Sequence, residues 1–158
     1  MRTVRFTASS LAAVVLLLAL GGCSRVQVDL PDGFAEQRER GLYRAVSPEG
    51  MRLEIRTTKN HPRKDLDFWS RALKNHLLEE GYTLVTDGES FEAGAGQGVL
   101  YEWGAPYRNE SYIYLTAVVV SGGRIAVAEG AGEHTVYRAY REEILESLGT
   151  LELRGGLW

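Results

Sequence analysis

The chain contains a single cysteine, Cys23, and this residue limits how the fold can be held together. Without a second thiol among the 158 residues, no disulfide can form within the chain. The folded part must therefore be stabilised by a hydrophobic core, and a chain of this length can bury one in a single domain. The cysteine stands three residues after an uncharged apolar run at positions 11–20, which suggests a different role for it.

The N-terminal segment has the features of a secretory signal. Two arginines precede the apolar run, whose ten residues would rise only about 15 Å as a helix, half the hydrocarbon core of a bilayer. The sequence Leu20-Gly21-Gly22-Cys23 resembles the bacterial lipobox. That resemblance implies a signal peptide at 1–22, cleavage between Gly22 and Cys23, and a diacylglycerol (with further palmitate-type acylation) on Cys23. The alternative is an ordinary signal followed by a chance cysteine.

The residue after the cysteine and the charge of the mature chain bear on location and partners. By resemblance to diderm lipoproteins, Ser24 favours the outer membrane, with the protein facing the periplasm. Cleavage removes Arg2 and Arg5, which leaves 136 residues with 16 basic and 21 acidic side chains, a net charge of −5. This balance gives no electrostatic reason to expect nucleic acid or anionic lipid as a partner. The predicted membrane contact is the lipid anchor.

The mature chain is predicted to form one domain. Residues 23–40 are expected to be a lipid-anchored tether that merges into a first edge strand, because apolar and polar residues alternate from Val26 to Leu30. The domain proper is placed at 41–153, and 154–158 is expected to be a frayed tail.

Alternating apolar residues and turn signals predict a series of strands. The turns include Asp87-Gly88 and Gly122-Gly123, both typical of tight hairpins. The predicted strands are Leu42–Val46, Met51–Thr57, Tyr82–Thr86, Ser90–Ala93, Val99–Trp103, Tyr112–Val120, Arg124–Glu129 and a short Leu151–Leu153. The strand at Tyr112–Val120 is apolar at both alternating sets of positions, so we expect it inside the sheet.

Two segments have helical periodicity. The first runs from Asp65 to Glu80, with an aspartate to cap its start and Gly81 just past its end. Its apolar stripe includes Trp69, which is expected to be buried against the sheet. The second runs over about 135–148 and is expected to stop at Gly149.

The order of elements and several short segments resemble the PsbP-like fold, and within it the small DcrB-like bacterial lipoproteins. The segments that carry the likeness are Ser47-Pro48-Glu49-Gly50, Asp67-Phe68-Trp69, Glu80-Gly81-Tyr82, Gly98–Trp103, Tyr112–Leu115 and Ile125–Gly130. The resemblance implies an α+β fold, with an antiparallel sheet of about six or seven strands and helices packed on its faces. It also implies a non-enzymatic role through protein contacts, since relatives of this fold include a photosystem subunit and a nuclear import factor.

No motif in the sequence names a reaction, a metal or a cofactor. The cluster Gly94–Gly98 lies between predicted strands and lacks the helix start and lysine of a phosphate loop, so a hairpin loop is expected. The histidines, at positions 61, 76 and 134, do not have the spacing of metal ligands. We therefore expect no metal site, no cofactor and no enzymatic activity. A triad of residues distant in the chain stays open as an alternative.

One segment is a candidate partner contact. Residues 104–110 are predicted to form a loop longer than a tight hairpin, and this loop carries Tyr107 and Arg108. Tyrosine and arginine are enriched among residues that dominate binding at protein interfaces. The alternative is an exposed turn with an incidental tyrosine.

These observations favour a membrane-anchored, periplasm-facing lipoprotein that acts as a protein-interaction or accessory module. Two other functions stay open. A carrier of an apolar ligand or peptide should have a cavity lined by Trp69, Trp103 and tyrosines, and a hydrolytic enzyme should have a cleft with converging titratable groups.

Overall fold

The computed structural model describes residues 25–39, 42–107 and 110–154. Its first part runs as β1 (Arg25–Gln27), β2 (Ala35–Glu39), β3 (Leu42–Val46), β4 (Arg52–Lys59) and α1 (Leu66–Glu79). Its second part runs as β5 (Thr83–Ala93), β6 (Gly96–Tyr107), β7 (Glu110–Ser121), β8 (Arg124–Glu133), α2 (His134–Gly149) and β9 (Glu152–Arg154).

Seven strands form one antiparallel sheet in the order β2-β3-β4-β8-β7-β6-β5, and β1 pairs with β9 in a separate two-stranded sheet. The prediction of an α+β fold with six or seven strands is therefore confirmed. The apolar strand predicted to be internal is β7, which lies between β8 and β6. Both of its alternating sets of side chains are buried, because a helix packs on each side of it.

The two faces of the sheet carry separate cores. Leu53 of β4, Leu100 of β6 and Leu115 of β7 pack with Ile144 of α2 in the larger core, which β1 and β9 also help to cover. On the opposite face, Trp103 packs with Leu77 of α1 and with Tyr101 in a smaller core. Alternation along each strand sends neighbouring residues to opposite cores, as the pleat requires.

The ends of the helices follow the capping rules. The Asp65 carboxylate accepts a hydrogen bond from the Phe68 amide at 2.9 Å at the start of α1, as predicted. Gly81 follows the end of α1 with φ +89°, a left-handed conformation that suits glycine. The second helix starts one residue earlier than predicted, with Glu133 as its cap, and it includes Gly149 instead of stopping before it.

One predicted turn is wrong, and one strand was not predicted. The predicted hairpin turn at Asp87-Gly88 lies inside β5, which continues from Thr83 to Ala93 with register shifts against β6. Gly88 has φ +71°, so the local turn signal is real but produces a bulge rather than a reversal. Strand β2 was not predicted, because its sequence AEQRE has no apolar alternation. Pairing with β3 makes this segment a strand at one edge of the sheet.

Trp69 and the first strand also differ from expectation. Strand β1 ends at Gln27 instead of continuing to Leu30, because it pairs only with the three residues of β9. Trp69 is half-buried, and its indole N–H donates to the Asn60 side-chain oxygen at 2.8 Å. The tryptophan that fills the interface between α1 and the sheet is Trp103, which is fully buried.

The sheet has two distinct ends. The turns Gly94-Ala95 and Gly122-Gly123 lie at the end that we call the glycine end, where β4 also finishes at Lys59. The β6–β7 turn lies at the opposite end, which we call the hairpin end. Among the residues in view, no helix is long and apolar enough to cross a membrane.

Candidate interaction surface

The predicted site residues fall partly outside the described structure. Gly22 and Cys23, the proposed cleavage and lipidation site, lie outside the described residues, as do Arg108 and positions 155–158 of the predicted tail. Tyr107 is the last residue of β6 and pairs with Glu110, the first residue of β7.

The predicted loop at 104–110 is therefore mostly strand. Residues 104–107 belong to β6, and only positions 108 and 109 separate Tyr107 from β7. Pro106 lies within this segment, but the pairing of β6 with β7 continues past it. Proline is tolerated there because β5 pairs with β6 only as far as Gly104, so Pro106 lies on a strand that has become an edge.

The β6–β7 hairpin projects beyond its neighbours in the sheet. On one side, the last β5 contact is Thr83 with Gly104. On the other side, the last β8 contact is Glu133 with Tyr112. In the two final rungs, which include Tyr107 opposite Glu110, β6 and β7 therefore pair only with each other. The hairpin presents its tip on a rigid base, since the strands beneath it are buried on both sides.

The sheet face that carries α1 is only partly covered. That helix packs mainly on β6 and β7. Farther along the same face, strands β3, β4 and β8 present a charged band, which we call the charged ladder. Its members are Arg44, Glu54, Arg56 and Glu129. The opposite sides of these strands carry core residues such as Leu53, so the alternation leaves the charged side chains outward.

Ion pairs hold the charged ladder in a fixed arrangement. Glu54 accepts hydrogen bonds from Arg44 at 2.7 Å and from Arg56 at 3.1 Å. Burial alone would raise the pKa of Glu54, but these two guanidinium groups lower it below its ordinary value. Glu129 lies 4.0 Å from Arg56 and accepts a hydrogen bond from the Tyr114 hydroxyl. The ladder is thus a half-buried network of paired charges, in which only Arg56 is exposed, and it presents a specific charge pattern.

An open depression of about 380 Å³ lies beside the charged ladder. It is lined by Arg56, Thr57, Thr58, Val127 and Glu129. Its lining combines one cation, one carboxylate and two hydroxyl groups around a single aliphatic side chain.

A buried carboxylate occupies the other face of the sheet. Glu102 of β6 is 7 % exposed and accepts hydrogen bonds from Thr86 at 2.5 Å, Tyr137 at 2.5 Å and Arg141 at 2.6 Å. Arg141 also bonds to Glu89 at 2.7 Å. This cluster, the Glu102 network, connects α2 to the bulged part of β5.

Each charged side chain of the Glu102 network has a partner of the opposite charge, so the role of the network is to connect elements of the fold. Burial would raise the pKa of Glu102, but the bonds from Thr86, Tyr137 and Arg141 lower it. Burial and the bond to Glu102 raise the pKa of Tyr137, so its hydroxyl stays protonated as a donor. This cluster was not predicted from the sequence. The available signal was an acidic residue in the core-facing alternation of Leu100 and Glu102.

The residues expected to line a carrier cavity do not converge. The Trp103 indole is buried beneath α1 and donates to the Thr116 hydroxyl at 3.0 Å. Trp69 contacts Phe68 edge to face and bonds to Asn60 instead. Within the described ranges, no group of three or more histidine, cysteine or acidic side chains is arranged to hold a metal ion.

Comparison with known proteins places the fold. No family model matches the chain, and no curated protein matches it by sequence. A solved structure of LpqN, involved in cell envelope biogenesis of Mycobacterium tuberculosis, superposes with a TM-score of 0.59 at 15 % identity, covering 83 % of this chain and 85 % of that one.

Two further solved structures agree with this placement. Cyanobacterial PsbP (CyanoP) from Synechocystis sp. PCC 6803 has a TM-score of 0.57 at 9 % identity, over 86 % of this chain and 96 % of its own. The Ran-binding protein Mog1p of Saccharomyces cerevisiae has a TM-score of 0.53 at 11 % identity, over 85 % and 92 %. The chain is therefore an α+β protein with a PsbP-like domain, and the predicted resemblance is confirmed at the level of fold.

Proposed function

We propose that this protein is a lipid-anchored accessory module of the bacterial cell envelope that works by binding another protein. In this account, Cys23 carries the lipid, the signal peptide ends at Gly22, and the domain faces the periplasm from the outer membrane. The lipobox resemblance supports the anchor. The likeness to LpqN, a protein of cell envelope biogenesis, supports the location, and the Ran-binding neighbour Mog1p is a precedent for protein binding on this fold.

The observation that carries the proposal is the projecting β6–β7 hairpin. Its last two rungs extend past both neighbouring strands, on a base that is buried on both faces. A rigid hairpin loses little conformational entropy when it binds, which favours affinity. Tyr107 ends β6, and Arg108 follows it in the sequence. Tyrosine and arginine are residue types that dominate interface energetics, so we assign the partner contact to these two.

The charged ladder is the second part of the proposed surface. Charge patterns of this kind select partners and orient their approach more than they add affinity. Arg44 and Arg56 lower the pKa of Glu54, so the negative charge of Glu54 is preserved in mildly acidic conditions.

The test replaces the hairpin tip and measures partner capture. The double variant Tyr107→Ala/Arg108→Ala is expressed as the full lipidated chain, and crosslinked complexes are recovered from its own membranes. The expected result is normal accumulation, with capture reduced about fivefold or more for each residue that is a hot spot.

The control is Arg71→Ala, which removes an exposed cation in the half of α1 nearer the glycine end. We expect this variant to capture partners at the wild-type level. Capture at the wild-type level by the folded hairpin variant would contradict the assignment of the contact to Tyr107 and Arg108.

A further inference from the structure

The structure leaves almost no tether between the proposed anchor and the fold. Strand β1 begins at Arg25, so Ser24 alone separates it from Cys23. Two residues span at most about 7 Å even when fully extended. This step depends on the proposed lipidation of Cys23. Given that modification, the first residue of β1 is held within about 7 Å of a residue at the lipid headgroups.

Strand β9 begins at the glycine end of the sheet, and β1 pairs with it. The Gly94 amide donates to the Gly149 carbonyl at 2.9 Å, and the Ala95 amide donates to the Leu151 carbonyl at 2.7 Å. Strand β9 starts immediately after Leu151 and is only three residues long. Because β1 pairs with β9 along its whole length, its first residue is within about 10 Å of this end of the sheet. A short anchor therefore turns the glycine end toward the membrane.

The same end is mixed in charge. Glu92 and Glu152 are exposed beside the Gly94-Ala95 turn. The basic side chains are concentrated where β4 ends and α1 begins. Lys59 is exposed and pairs in register with Arg124, next to the Gly122-Gly123 turn. Arg63 is exposed beside that turn. Its guanidinium lies 3.6 Å from the point that a Cβ atom would occupy if residue 123 were not glycine. In the part of the chain in view, Lys59 and Arg63 form no salt bridge.

An exposed aromatic residue accompanies these cations. Phe68, in the first turn of α1, is 40 % exposed, and the Lys64 ammonium lies 5.3 Å from its ring centre. The nearby acids are engaged: Asp65 caps α1, and Asp67 is paired with Arg71 at 2.7 Å. Exposed aromatic rings beside lysine and arginine are typical of surfaces that rest in the headgroup region of a bilayer.

We propose that the basic corner of the glycine end, where β4 ends and α1 begins, is a docking surface for anionic phospholipid headgroups. Lys59, Arg63 and Lys64 contact the phosphate groups, and Phe68 enters the interface between headgroups and acyl chains. The domain is then held upright on the membrane instead of moving freely on its anchor. The hairpin end, with Tyr107 at its tip, points away from the bilayer toward partners in the periplasm.

The experiment measures how close each end of the domain lies to the membrane. In the lipidated protein, the thiol of Cys23 carries the lipid, so one introduced cysteine is the single labelling site. Thr58→Cys places a fluorophore one rung from Lys59 at the glycine end, and Ser111→Cys places it in the projecting hairpin. Each labelled protein is reconstituted in vesicles of phosphatidylethanolamine and phosphatidylglycerol that contain a headgroup-attached quencher.

We expect strong quenching at position 58 and little at position 111. The double reversal Lys59→Glu/Arg63→Glu, added to Thr58→Cys, should lower the docked-to-undocked ratio by about fivefold or more per reversed charge. High salt, or vesicles of phosphatidylcholine alone, should have the same effect. The matched reversal Arg52→Glu/Arg138→Glu, away from the glycine end, should leave quenching at position 58 unchanged.

Flotation of the vesicles separates failure of this proposal from failure of the anchor. If the protein does not float with the vesicles, the lipidation itself is refuted. If it floats, but position 58 is quenched no more than position 111, the docking surface is wrong and the anchor stands. Equal quenching of the wild-type and Lys59→Glu/Arg63→Glu proteins would also overturn the proposal.

Discussion

Replacing Glu102 with glutamine tests the physical account of the fold most sharply. The Glu102 carboxylate is 7 % exposed and accepts hydrogen bonds from Thr86, Tyr137 and Arg141. The substitution Glu102→Gln keeps the shape of the side chain. It removes the negative charge and places an NH₂ group where one of the two carboxylate oxygens accepted bonds.

The expected loss follows from the contacts that change. A hydrogen bond to a charged group contributes about 1.5–3 kcal/mol to stability. In the variant, the bond from Arg141 is no longer strengthened by a negative charge at position 102. The Arg141 side chain is 30 % exposed, so water compensates part of its lost partner. We therefore expect Glu102→Gln to reduce the free energy of unfolding by about 2–3 kcal/mol at neutral pH.

The pH dependence gives the direction of a second test. The pKa of Glu102 is lowered in the fold, so its ionised form stabilises the folded state above the unfolded pKa of about 4.3. That contribution is lost as the pH falls through the folded value, because the carboxyl group is then protonated in both states. The difference between wild type and Glu102→Gln should therefore shrink as the pH falls below about 4.

Urea denaturation of the mature protein at several pH values measures both effects. Glu142→Gln, at an exposed position next to Arg141 in α2, is the matched control and should change stability by less than about 0.5 kcal/mol. A loss below about 0.5 kcal/mol for Glu102→Gln at neutral pH would refute the proposed energetics. So would a loss that stays constant from neutral to acidic pH.

Three further predictions follow from packing and from the anchor. Trp103→Ala should reduce the free energy of unfolding by about 3–5 kcal/mol, because Trp103 is fully buried. Trp69→Ala should reduce it by only about 1–2 kcal/mol, because Trp69 is half-buried. Chemical denaturation measures both losses. Gly98→Ala should cost about 1–3 kcal/mol, since its Cβ would lie 2.5 Å from the Phe91 ring; an unchanged midpoint would show that the ring moves freely. Cys23→Ala should abolish labelling with radioactive palmitate and leave the signal peptide uncut by the lipoprotein-specific peptidase; persistent labelling would refute the lipobox reading.

Local signals in the sequence were sufficient for several elements. Asp65 and Gly81 enclose α1 because capping depends on residues adjacent to the helix. Strand β3 was predicted with its exact bounds, and β4 to within two residues, because a turn signal separates two short segments with strand character.

The missed elements depend on residues far away in the chain. Strand β2 has a polar sequence, and its strand conformation results from pairing with β3. Asp87-Gly88 has the local signature of a hairpin turn, but pairing with β6 overrides it and makes a bulge within β5. Local composition cannot report pairing that a distant strand imposes.

The candidate surface was predictable in part. The segment with Tyr107 and Arg108 was selected from residue type, and the structure changes its form from a loop to a projecting hairpin. The Glu102 network was not predictable, because Glu102 and Arg141 are 39 positions apart and only the packing of α2 brings them together. The short connection to β1 likewise became visible only when its first residue was located at Arg25.

Photo-crosslinking in intact cells tests the central claim, protein binding by an anchored module, most directly. A photoreactive phenylalanine analogue is placed at Tyr107 in the projecting hairpin and, as a control, at Arg138 on the exposed surface of α2. The account predicts a discrete protein adduct from position 107 that is absent from position 138 and disappears with Cys23→Ala. Adducts that are the same from both positions, or no protein adduct from position 107 in membranes that contain the lipidated protein, would contradict it.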